Sequence, residues 1–101
     1  MDLPIACTLT EAELRQRRRE VLDRLITATI NTTELSNGYA YEFNSDEGTL
    51  AMLGRLIALE HECCRFLTFR LSLEEGKLTA ILEVTGSPEA KVMIANLFGT
   101  A

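Results

Sequence analysis

Apolar positions change their spacing several times along the chain, and each change marks a predicted element. Ile5, Cys7 and Leu9 alternate, which predicts a short first strand over Leu3 to Leu9. Thr10-Glu11-Ala12-Glu13 follows with capping-box spacing. Leu14, Val21, Leu22, Leu25 and Ile26 then recur at helical spacing and predict a helix to about Thr29. Asn31 to Ser36 is polar and β-branched and reads as loop or a frayed strand, and Asn37-Gly38 is a turn signal. Tyr39, Tyr41 and Phe43 alternate with Ala40 and Glu42, the chemistry of a strand. Asn44-Ser45-Asp46-Glu47 supplies a cap for a second helix, predicted to about Arg65. One face of that helix gathers Leu50, Leu53, Leu56, Ile57, Glu60, Cys63, Cys64 and Leu67. Leu67, Phe69, Leu71 and Leu73 alternate next, Glu74 to Lys77 turns the chain, and Leu78, Ala80, Leu82 and Val84 alternate back, a hairpin pattern. Ser87-Pro88 places an N-cap before a proline at the first helical position. The last helix carries Ala90, Met93, Ile94 and Leu97, and Gly99 can end it.

The predicted order is β-α-β-α-β-β-α in one α+β domain, residues 1–101. Tyr39 to Phe98 reads as most of a ferredoxin-like, split β-α-β sheet with helices packed on one face. The strand that unit lacks is expected from residues 3–9.

Composition narrows the function classes. Of 101 residues, 47% are apolar and 25% charged, values of a globular domain able to bury a core unaided. The net charge of −5 opposes general nucleic-acid binding, which needs a basic footprint. Arg15, Arg17, Arg18, Arg19 and Arg24 nevertheless concentrate half of the ten basic residues in one segment, so a local anion site is compatible with the whole. The apolar runs are far too short for a membrane helix, which needs about 20 residues. Met1 to Thr8 lacks the basic start and apolar stretch of an export signal. Three cysteines, an odd number, then predict reduced thiols in the cytoplasm.

The densest chemistry is Glu60-His61-Glu62-Cys63-Cys64-Arg65. Its spacing matches no strong zinc signature, because a closed zinc site takes four ligands, usually as spaced pairs. Only a site assembled from Cys7, either Cys63 or Cys64, His61 and Glu60 could reach four. Neighbours on a helix point about 100° apart, so Cys63 and Cys64 suit soft ions of low coordination, mercury or arsenite, better than a tetrahedral centre. His61 lacks a second histidine four residues on and stands off the apolar stripe. Glu60 lies within that stripe, and Arg17 and Arg18 occupy the stripe of the first helix. A carboxylate buried alone is costly. A Glu60–arginine pair between the helices is therefore expected, either as architecture or as part of an anion pocket beside the thiols. None of the six glycines has phosphate-loop spacing, and a single histidine flanked by acids forms no triad.

The residues Cys7-Thr8-Leu9-Thr10, Arg17-Arg18, Leu56-Ile57-Ala58-Leu59-Glu60, Cys63-Cys64-Arg65-Phe66-Leu67, Leu82-Glu83-Val84-Thr85-Gly86 and Ala90-Lys91 resemble a family of short bacterial proteins of unknown function. The resemblance spans most of the chain. It implies a link to thiophilic-metal responses and brings no activity, substrate or cofactor. The family pattern has proline between the double cysteine and the phenylalanine; Arg65 stands there instead. Without a proline to stop it, the second helix is expected to extend slightly.

Two functional expectations follow. The first is a cytoplasmic thiol module that binds or responds to a soft metal ion through Cys63 and Cys64, with help from Cys7. The second is a non-catalytic structural or interaction domain whose cysteines are packed and inert. An enzyme with an activated cysteine at an arginine-lined pocket ranks third. No firm cofactor is implied, and an exposed sheet edge would favour a homodimer.

Overall fold

The computed structural model describes residues 12–98; within them, the side chains at positions 12–15, 17, 18 and 63 fall outside the description. The elements are α1 (Ala12–Ala28), β1 (Asn31–Leu35), β2 (Gly38–Asn44), α2 (Glu47–Cys63), β3 (Thr68–Leu73), β4 (Thr79–Thr85) and α3 (Pro88–Phe98). The protein is α+β, with four strands in the order β1-β2-β4-β3 and every neighbouring pair antiparallel. β2 and β3 therefore run parallel on either side of β4, with α2 as their crossover. This is the expected split β-α-β unit.

One element differs from expectation. Asn31 to Ser36 reads as loop because it has little apolar content, yet Asn31–Leu35 is a full edge strand paired along β2. It places Thr32 opposite Tyr41 and Glu34 opposite Tyr39, where β-branched residues suit a half-covered sheet edge. The fourth strand of the sheet thus comes from this segment. The strand predicted over residues 3–9 lies outside the described residues.

Strand alternation separates the two faces. Tyr39, Tyr41 and Phe43 of β2 and Ala80, Leu82 and Val84 of β4 are buried beneath the helices. Ala40, Glu42, Ile81 and Glu83, of opposite parity, are partly solvated. A polar open face is normal for an antiparallel sheet covered on one side. Leu53, Leu56, Ala90, Ile94 and Phe98 complete the core from α2 and α3, and α1 adds Leu22 and Leu25. Ile26, expected in the α1 stripe, is 43% exposed, and Leu78, expected in the last strand, lies before it in the turn and is 86% exposed.

Local chemistry sets the boundaries. Asp46 caps α2 by accepting from the Thr49 amide at 3.1 Å and the Thr49 hydroxyl at 2.8 Å. Ser87 caps α3, its Oγ accepting from the Ala90 amide at 3.2 Å. Gly76 takes φ 77° in the β3–β4 turn, a conformation glycine adopts without steric cost. The Asn37-Gly38 signal has another origin. Ser36 and Asn37 make the β1–β2 turn without positive φ, and Gly38 is already in β2. A Cβ at Gly38 would run into the Val84 carbonyl of β4, so the glycine serves close strand approach.

Candidate functional site

The site predicted from sequence sits where α2 ends. The helix stops at Cys63 rather than extending towards Arg65, and Cys64 is its C-cap, with φ −124° and ψ 69°. The Cys64 amide donates to the Glu60 carbonyl at 2.6 Å, and the Leu67 amide donates to the Cys64 carbonyl at 3.1 Å. A tight turn over Cys64 to Leu67 thus ends the helix, with Arg65 in it and no proline. The turn rests on the start of α3. A Cβ at Gly86 would come 2.8 Å from the Ala90 Cβ and 3.4 Å from both Leu67 Cδ2 and the Phe66 carbonyl oxygen, so only glycine fits beneath it.

Glu60 and Cys64 are both fully buried, at 0% exposure. They lie four residues apart, the spacing that puts side chains on one face. Each has an interaction partner. His61, Glu62 and Arg65 are exposed, so the histidine named as a candidate ligand faces solvent, away from this core. Cys7 lies outside the described residues, as do the side chains of Cys63, Arg17 and Arg18. Among the described residues, no three histidine, cysteine or acidic groups come together to hold a metal ion.

The backbone shows where the remaining candidates stand. The Ile30 amide, just after α1, donates to the Glu42 carbonyl at 2.8 Å, and α2 begins shortly beyond that end of β2. The last turn of α1 therefore lies near the first turn of α2, and the two helices run antiparallel. Shared clefts agree: Thr27 of α1 lines one with Met52 of α2, whereas Glu20 and Val21 line another that reaches Arg55. Continuing in equal steps brings backbone positions 17 and 18 level with position 60, and the start of α1 level with Cys64.

Two features were not singled out from sequence. Arg24 and Arg55, with Glu20, Val21 and Met52, line a cleft of about 170 Å³ between α1 and α2. Arg55 looks like one more surface charge until the helix pairing is known. The other is a bracket at the far side of the sheet. The Lys91 ammonium is 2.7 Å from a Glu34 carboxylate oxygen and 5.5 Å from the centroid of the Tyr39 ring, tying α3 to β1 and β2. No family model matches the chain, and neither a curated protein nor a solved structure matches it.

Proposed function

We propose that this chain is a cytoplasmic thiol module that binds or responds to a soft metal ion, with Cys63 and Cys64 as principal ligands and Cys7 as a third. The observation that carries the reading is the complete burial of both Cys64 and Glu60, four residues apart at the end of α2. A buried thiol one turn beyond a buried acid suits a ligand that is cationic and thiophilic. In this reading, Arg17 or Arg18 is the partner expected from sequence to balance the Glu60 carboxylate. Cys7 is five residues before Ala12, close enough in chain length to reach the Cys64 end from the start of α1. His61, exposed on the far side of α2, takes no part. Cys64 is enclosed, so entry of a soft ion requires local opening of the turn that ends α2.

The binding step is a condensation with trivalent arsenic. Each As–S bond replaces an As–O bond, the thiol proton leaves with the displaced hydroxide as water, and no electron is transferred. A helix C-terminus disfavours a thiolate. The metal therefore supplies the driving force for deprotonation, and nucleophilic catalysis is not part of the reading.

The second reading is a structural or interaction domain with inert cysteines, and the inclusion of Cys64 in the buried hydrophobic core favours it. Native mass spectrometry of the reduced protein with phenylarsine oxide separates the two. The thiol reading expects one arsenic per chain, lost in the Cys63→Ser/Cys64→Ser double variant. An absence of adduct until the protein is denatured contradicts it and supports the packed-thiol reading.

A further inference from the structure

The two edges of the sheet are built differently. At the β1 edge, the positions of inward parity are Thr32 and Glu34, and Glu34 is held by Lys91. An inward-facing charge on an edge strand discourages pairing with another chain. At the β3 edge the inward positions are Phe69, Leu71 and Leu73. They lie in register with Val84, Leu82 and Ala80, which are all 0% exposed. Yet Phe69 and Leu71 are only half-buried, and Leu73 is 56% exposed. Among the described residues, the apolar layer of the sheet therefore continues onto β3 with no strand beyond it; Phe69 and Leu71 pack against the core from this edge and Leu73 is left exposed. β3 contains neither proline nor glycine to blunt its edge.

We propose that β3 is the seam of a homodimer, in which the β3 strands of two copies pair antiparallel about Leu71 and join the two sheets into one. Three conditions select this partner and register, the first being overlap: centring on Arg70 or Leu71 pairs five of the six β3 residues, whereas centring on Phe69 or Ser72 pairs only three. Residues directly opposite across an antiparallel pair share a face, so keeping both helical layers on one side pairs inward positions only with inward positions. Centring on Arg70 satisfies parity but sets Arg70 against its own copy, a like-charge pair that opposes association. Centring on Leu71 sets Leu71 against Leu71, Phe69 against Leu73 and Arg70 against Ser72. It covers the exposed Leu73 with an aromatic ring and repels nowhere. The strand is thus complementary to itself, as a two-fold interface requires. This inference stands apart from the thiol reading.

Position 72 supplies the test. Ser72 is exposed, and its parity is that of the open face, so a charge placed there leaves the core intact. The mass of the full chain is read by light scattering across a concentration series, with circular dichroism to verify the fold. Wild type and Ser72→Glu are expected at twice the 11.3 kDa chain mass, because Glu at position 72 meets Arg70 of the other copy. Ser72→Arg, which sets Arg against Arg at two symmetry-related places, is expected at the single-chain mass with an unchanged spectrum. A wild type of single-chain mass at every concentration would overturn the proposal. A Ser72→Arg protein that stays dimeric, or a Ser72→Glu protein that dissociates with it, would overturn the Leu71-centred seam.

Discussion

The Cys64 amide donates to the Glu60 carbonyl at 2.6 Å, and neither residue exposes any surface to solvent. This bond is the last of α2, and it fixes a thiol one turn beyond a buried carboxylate. A sequence that needed only an apolar helix end would carry leucine at both places. An acid there must be matched by a partner, since uncompensated burial of charge costs several kcal/mol, roughly 2–7 even for a neutral polar group.

Glu60→Gln tests that match. Removing one member of a buried charge pair costs about 3–5 kcal/mol, because the other is left uncompensated. We expect a loss of that size in urea unfolding, and a similar loss for whichever of Arg17→Met and Arg18→Met removes the partner. The double variant should cost less than the sum of the two singles. Additive losses would show that Glu60 and the first helix are uncoupled.

How much was legible in the sequence depended on whether a residue's role is local. The caps at Asp46 and Ser87, the β3–β4 hairpin and the burial of Glu60 all follow from spacing within one element or across one short turn. The strand Asn31–Leu35 did not, because its apolar face is supplied by Tyr39 and Tyr41 across the turn and its own residues only have to tolerate an edge. The Arg24–Arg55 cleft was hidden for the same reason: it exists only once α1 lies antiparallel on α2. Gly38 was read as a turn residue, although what demands it is the Val84 carbonyl of a strand more than forty residues away.

Gly38→Ala should therefore destabilise the protein by about 1–3 kcal/mol, the usual cost of forcing an extra methyl into packed structure. Gly54 is the control. It lies in α2 with nothing within 4 Å of an added Cβ, and Gly54→Ala should stabilise by about 0.4–1 kcal/mol through reduced unfolded-state entropy. Thermal melts of both variants check the pair. Equal effects would mean that helix and strand propensity, rather than the contact with β4, governs position 38.

Lys91→Met removes the bracket across Glu34 and Tyr39. The Glu34 side chain is 68% exposed, so the ion pair is screened and should contribute only about 0.2–1 kcal/mol. The difference from wild type should shrink as salt is added, within the Debye screening expected of surface charges. A salt-independent loss would assign the stabilisation to packing of the lysine stem on Tyr39.

The α2 cap carries a pH signature. The Thr49 side chain, and then its backbone amide, hold the Asp46 carboxyl below its ordinary value of 3.8. A folded-state pKa below the unfolded one gives stability that is fully present above the unfolded value and is lost as pH falls through the folded one. The melting-temperature gap between wild type and Asp46→Ala should thus be constant near neutrality and close as pH drops below 3.8. A gap that persists unchanged into strong acid would contradict the charged cap.

The thiol reading is tested most directly by the melting temperature of the reduced protein with and without one equivalent of mercuric ion. A ligand that binds the native state raises the transition by mass action, by about 2.7 kcal/mol when the free ligand is a hundred times its dissociation constant. The account predicts a clear upward shift for wild type, abolished in Cys63→Ser/Cys64→Ser and reduced in Cys7→Ser, with zinc giving a weaker shift than mercury. An equal shift in the double variant, or a lowered melting temperature in wild type, would contradict it.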